Sequence, residues 1–225
     1  MPDDRIGTLH VAERVWARIR SRGLGEVGRL MSGRLKEAVE SGDTLVVFSL
    51  ATQVEPSAAG EDLLFRSATL DDGDLYARDI GTESNRSFRG RLSPTTSCFV
   101  VESEGRLLHA TWVTTSGAWT RELQGYVRPP QGSAYVYESF THPDARGQGL
   151  YPFALRRIAS HAAERDLDNL WVAIEAGNHS SLRAVAKAGF RPVFRLEYRR
   201  RWGRLTVGIP TPGEPGSAGL QIERS

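Results

Sequence analysis

The chain has 225 residues, 25% charged and 40% hydrophobic, a balance that suits a soluble globular protein with one sizeable core plus an appendage, or two small domains. Its formal net charge of +2 is too small to argue for nucleic acid, and a lone cysteine, Cys98, excludes an intrachain disulfide. No apolar run approaches the roughly 18 residues a membrane helix needs, and the acidic start Met-Pro-Asp-Asp-Arg lacks the pattern of a signal peptide, so the expected location is the cytoplasm.

Residues 8 to 41 carry two helical patterns. Val11, Val15, Trp16 and Ile19 form an apolar stripe opposite Arg14, Arg18, Arg20 and Arg22, and Val27, Leu30, Met31 and Leu35 begin another beyond Gly23 and Gly25. The expected role is packing on the protein's own core; a basic amphipathic pair of this kind also has the chemistry to lie on an anionic membrane. Thr44 to Thr52 reads as a strand able to extend the core sheet, and Pro56 to Gly60 as a linker. Leu63 to Thr69 predicts a strand, and residues 74 to 92 are poorly patterned. Ser97 to Glu102 and Arg106 to Thr115 predict a hairpin joined at Glu104-Gly105. Ser116 to Gly132 is a long connection containing Trp119, Tyr126 and Pro129-Pro130, either a binding loop or a surface excursion.

The centre of the chain is Ser133 to Pro152. Tyr135 to Phe140 is aromatic or β-branched at nearly every step, which suits a largely buried strand, and His142-Pro143-Asp144 ends it in a turn. Gly147 and Gly149 bracket Gln148, and a helix starts at once with Pro152 in its first turn, where the missing N–H costs nothing. Such a turn presents unpaired amides and the positive end of a helix dipole to an anion. Phe153, Leu155, Ile158 and Ala162 give that helix its sheet-covering face. Asn169 to Glu175 reads as the next strand. Asn178 to Phe190 reads as a helix capped near Ser180 or Ser181 and ended by Gly189. Phe190 to Val207 predicts two strands around Arg201-Trp202-Gly203, dense in arginine, and the Pro/Gly/Ser-rich tail from residue 208 predicts disorder.

Neither a P-loop nor a dinucleotide fingerprint is present. Arg146-Gly147-Gln148-Gly149-Leu150-Tyr151 instead resembles the Arg/Gln-x-x-Gly-x-Gly/Ala signature of the GNAT superfamily of acyl-CoA-dependent N-acetyltransferases. Asn178 with Lys187-Ala188-Gly189-Phe190 resembles that family's later block. The resemblance spans roughly residues 62 to 209. It implies an α/β fold with a mixed, mostly antiparallel central sheet, splayed central strands and flanking helices, here with a helical N-terminal extension. The domains expected on this basis are an extension over 1–61, a GNAT core over 62–209 and a disordered tail over 210–225.

The activity so implied is transfer of an acetyl or other acyl group from acyl-CoA to the primary amine of a small molecule or peptide by direct attack, with no metal. The alternatives are an idle acyl-CoA- or partner-binding module, and arginine-driven RNA binding, whose affinity would fall steeply with salt. The resemblance places the CoA arm along the main chain of Ser139, Phe140 and Thr141, its pyrophosphate on Arg146, Gly147, Gln148, Gly149, Leu150 and Tyr151, and Asn178 and Ser181 across from the thiol. Two positions depart from the pattern: Tyr151 stands where glycine or alanine is usual, and Val185 stands where many members carry the tyrosine that protonates the thiolate. In the latter region the chain is more similar to the ribosomal-protein N-terminal acetyltransferase branch. The acid is then expected from Ser181 or water. For the base, Glu138 within an aromatic strand is the first candidate, read otherwise as a carboxylate satisfied by an arginine, and His109 is the second.

Overall fold

The computed structural model describes residues 40–53, 62–201, 204–208, 211–212 and 220–224. Of the helical patterns expected over residues 8 to 41, all but residues 40 and 41, which belong to a strand, lie outside the described residues, as do the expected linker 56–60 and Trp202-Gly203.

The elements follow in the order β1 (Glu40–Ala51), β2 (Leu64–Ser67), a 3-10 turn (Leu70–Asp72), α1 (Gly73–Asp79), α2 (Asn85–Arg91), β3 (Thr96–Ser103) and β4 (Arg106–Thr114). Then come β5 (Ala118–Thr120), β6 (Gly125–Arg128), β7 (Ser133–Thr141), a 3-10 turn (Pro143–Ala145), α3 (Leu150–Ala163), β8 (Asn169–Glu175) and α4 (His179–Ala188). The chain closes with β9 (Arg191–Arg201), β10 (Arg204–Val207), β11 (Thr211–Pro212) and β12 (Gln221–Arg224). The main sheet runs β10-β9-β1-β8-β7-β4-β3-β2, with β11 also on β9. Among the described residues only β7 and β8 pair in parallel, and the other pairings in this sheet are antiparallel.

The expected strand at 44–52 is present as β1, and its place matters. It lies between β8 and β9, with Leu45 opposite Glu175 on one side and Leu196 on the other. Leu45, Val46, Val47, Phe48 and Leu50 are all buried, as a continuous apolar run in an interior strand requires. The sheet therefore runs across residue 61, with β1 before it in sequence and the other strands after it. The disorder expected of the whole tail is also corrected, because Gln221–Arg224 pairs with Arg128 to Gly125 of β6. Gln221 and Ile222 resume a β-compatible pattern beyond the last glycine and proline.

Two layers cover the sheet. On one face α3 and α4 bury Leu155, Ile158, Ala159, Ala162, Val185 and Ala188 against Val46, Val136, Leu170 and Val172. The opposite face is shared. Tyr76 and Phe88 of α1 and α2 pack on Trp112, and Tyr76 Oη accepts the Trp112 indole N–H at 3.1 Å. Beside them Ala118, Leu123 and Val127 of the β12-β6-β5 sheet pack on Tyr135, Trp171, Phe194 and Leu196. The connection expected at 116–132 is thus a small sheet laid over the larger one, with Trp119 and its cross-strand partner Tyr126 left exposed.

Candidate functional site: a gap between parallel strands

The pairing of β7 with β8 covers only Ser133 to Val136 against Asn169 to Val172. Beyond that point β7 stays with β4 as far as Thr141, and β8 stays with β1 as far as Glu175. The two strands part, and among the described residues no strand pairs with the β8-facing edge of β7 from Tyr137 to Thr141. His142 donates its N–H to the Leu108 carbonyl of β4 at 2.8 Å. By alternation the main chain of Thr141 then faces the gap, where Arg146 Nε donates to its carbonyl at 3.3 Å.

A β-bulge sits at the head of this free edge. Tyr137 pairs with Trp112 and Phe140 with Ala110, so Glu138 and Ser139 together oppose Thr111. Glu138 adopts φ +47, a conformation rare for a residue with a Cβ. The bulge turns Glu138 outward. Its side chain is 52% exposed and pairs with Arg91 Nη1 at 2.7 Å. The apolar enclosure expected around this carboxylate is therefore absent, while the arginine partner is present. Arg91, at the end of α2, also binds buried Glu83 at 2.6 Å and stacks 3.9 Å over the Trp112 ring. Burial opposes the charge on Arg91, but Glu138 and then Glu83 outweigh it and hold the guanidinium firmly protonated.

At the far end of the free edge stands the glycine turn. Gly147 and Gly149 have φ of +81 and +77, and a Cβ at either would meet nothing within 4 Å, so these glycines serve conformation and leave open space above the backbone. Gly149 caps α3. The amides of Leu150 and Tyr151 open the helix and have no carbonyl one turn back to bind. Arg146, Gly147, Gln148 and Gly149 are exposed. These residues fit an anionic, phosphate-bearing ligand. The Tyr151 side chain leaves the turn and packs toward the sheet, its ring 5.5 Å from that of His109.

His109 is fully buried on β4. Its Nδ1 lies 2.7 Å from Thr141 Oγ1 and its Nε2 2.7 Å from Thr111 Oγ1. Burial lowers its pKa to about 3, so it is neutral near pH 7. With both nitrogens occupied inside the sheet, it is a poor base for an external amine. Asn178 caps α4, its Oδ1 accepting from Ser181 N at 3.2 Å and Ser180 Oγ at 3.0 Å. No hydrogen bond among the described residues joins Ser181 to β7. Glu175, at the end of β8, accepts from Tyr198 Oη at 2.8 Å. Sequence reasoning passed over Arg91 and Ser139–Thr111–His109 as connected groups, because each link spans different strands or helices.

A mixed sheet whose one parallel pair parts beside a glycine-lined helix start defines an α/β domain that can hold an extended, phosphate-bearing molecule between two strands. Residues 99–191, from β3 to the start of β9, match the family model described as an acetyltransferase (GNAT) domain. No curated protein matches the chain by sequence. Among solved structures, a GCN5-related N-acetyltransferase from Sphaerobacter thermophilus has TM-score 0.54 and 11% identity, over 80% of this chain and 57% of that one. A GNAT-family protein from Novosphingobium aromaticivorans has TM-score 0.50 and 19% identity, over 70% of this chain and 63% of its own. At such identities the likeness is one of fold, and the chain spans about three fifths of the length of these two structures.

Proposed function

We propose that the protein moves an acetyl or other acyl group from acyl-CoA to a primary amine of a small molecule or peptide by direct attack. The observation that carries this reading is the parting of β7 from β8 after Val136 and Val172, with the bulge and the glycine turn at the two ends of the free edge. The arm of acyl-CoA would pair along Ser139, Phe140 and Thr141. Its pyrophosphate would sit on the amides of residues 146–151, and Arg146 would exchange the Thr141 carbonyl for phosphate. Asn178 and Ser181 would lie across the gap.

A bulge leaves one residue's ladder groups unpaired. An N–H freed at Glu138–Ser139 is suited to the charge that develops on the thioester oxygen. The acceptor would enter from the α2 side, where Glu138 and Glu83 flank the single positive charge of Arg91 and leave a net negative charge that favours an ammonium. Glu138 would accept the proton the ammonium sheds, once its pair with Arg91 opens or through a water on its exposed side.

Intact-mass analysis of spermidine, tryptamine, kanamycin and an Ala-Arg peptide after incubation with protein and acetyl-CoA tests the transfer. Thermal shifts with CoA test the site separately. Gly149→Asp places a carboxylate at the anion site, on a residue type that tolerates positive φ. The shift with CoA should vanish while the unliganded melting temperature holds; an undiminished shift would overturn the pyrophosphate assignment. Val185 in place of the family's tyrosine favours a second reading, a module that binds acyl-CoA without turnover. A CoA shift in the parent with no acylated amine would favour that reading.

A further inference from the structure

We infer that His109 is a positioning residue for the acyl-transfer step: through Thr111 and Ser139 it locks the extra residue of β7 at Glu138, and so aims the N–H freed at the bulge. This deepens the acyl-transfer reading above and rests on it.

Four polar side chains make a ladder across β4 and β7. His109 and Thr111, two apart on β4, share a face, and Thr141 and Ser139, two apart on β7, stand opposite them. Thr141 Oγ1 lies 2.7 Å from His109 Nδ1, His109 Nε2 lies 2.7 Å from Thr111 Oγ1, and Thr111 Oγ1 donates to Ser139 Oγ at 3.1 Å. Thr111, like His109, is fully buried. The directions follow from the hydrogens available. Thr111 gives its one hydrogen to Ser139, so it accepts from Nε2–H, and the bare Nδ1 of a neutral ring accepts from Thr141. His109 therefore turns the Thr111 hydroxyl toward Ser139, and Thr141 holds the ring.

A bulge needs such a lock because its extra residue can sit at neighbouring positions along the strand. Moved one step on, Ser139 and Phe140 would share Ala110, while Thr141 would still oppose His109. Glu138 would then stand opposite Thr111, its carboxylate turned toward a buried hydroxyl and imidazole. The Thr111–Ser139 bond is the rung that this slip breaks. A fully bonded buried ladder thus specifies one arrangement among near alternatives. It also supplies the outside support that the left-handed Glu138, at φ +47, requires. Arg91 holds the Glu138 side chain from the α2 side, so the bulge is gripped at both of its residues. His109 itself touches neither acyl-CoA nor acceptor in this reading; it acts through Thr111.

The test uses the whole chain, acetyl-CoA and whichever amine of the panel above is acylated fastest. The amide of glutamine stands close to the place of Nε2 and that of asparagine close to Nδ1. His109→Gln therefore keeps a donor for Thr111, whereas His109→Asn keeps only a partner for Thr141. In His109→Asn kcat should fall about ten- to a hundredfold, with KM for acetyl-CoA and Kd for CoA within about twofold of the parent's. His109→Gln should lose much less. Thr111→Val should lose as much as His109→Asn, Thr111→Ser should recover the rate, and the double variant of His109→Asn with Thr111→Val should be no slower than either single one.

A ladder that only adds stability predicts rate losses that follow melting temperature, fall equally on His109→Asn and His109→Gln, and add in the double variant. That outcome would overturn the positioning role and leave acyl transfer standing. If His109→Asn does not fold, the Thr111 pair decides: equal rates in Thr111→Val and Thr111→Ser overturn the role. A parent that acylates no amine overturns the acyl-transfer reading and this one with it.

Discussion

His109 shows how burial fixes a residue's role. A charged imidazole inside the sheet would face burial on all sides, so its pKa falls from 6.5 to about 3. Between those values the unfolded chain binds a proton that the folded chain does not. Stability then rises with pH through this window and is lost as pH falls toward 3, by up to about 1.4 kcal/mol per pH unit from this group. Asp72 and Asp79 have pKa values lowered below 3.8 by Arg66 and, against burial, by Arg78, so they act beneath most of the window. Denaturant melts between pH 4 and 6 should show the slope in the parent and a clearly smaller one in His109→Asn. Equal slopes would mean that the imidazole accepts a proton in the folded state. None of this was legible in the sequence, where a strand histidine carries no mark of its three neighbours.

At the scale of the element, the reading of β7 as a strand rested on Tyr135 to Phe140 and held, but the bulge within it was hidden. Alternation offered one clue: Tyr137 and Phe140, three residues apart, pack in the same cluster with Trp112, which a regular strand cannot do. The bulge costs backbone strain at Glu138, about 1 to 2 kcal/mol for a left-handed residue with a Cβ. Deleting Glu138 would put Tyr137 and Phe140 two apart, keep both on their present face and leave a regular strand. The deletion should therefore melt no lower than the parent and still shift with CoA, yet lose turnover. Glu138→Gln keeps the bulge and removes only the carboxylate. A deletion no slower than that substitution would show that the bulge amide contributes nothing to the reaction. The glycine turn, by contrast, was legible because positive φ and close approach leave their mark in residue type.

The whole molecule is held together by an exchange that local patterns could not reveal. Composition marked residues 56–60 as a linker and Thr44 to Thr52 as a strand able to extend the core sheet, but strand order is a property of distant partners, and β1 lies inside the sheet between β8 and β9. It buries Leu45, Val46, Val47, Phe48 and Leu50 on both faces. At about 1.5 to 3 kcal/mol for each such side chain, these five contribute roughly 7 to 15 kcal/mol, an upper estimate against an extended unfolded chain. That is comparable with the entire stability of an ordinary domain, about 5 to 15 kcal/mol. Removing β1 would also strip β8 of the partner that holds it away from β7 and so keeps the gap open. A chain beginning after Pro56 should accordingly be insoluble or lack a cooperative melt and any shift with CoA. Recovery of a soluble, cooperatively melting truncation that still binds CoA by calorimetry would show that β8 and β9 close on each other without β1, and that the gap is set by α3 and α4 alone.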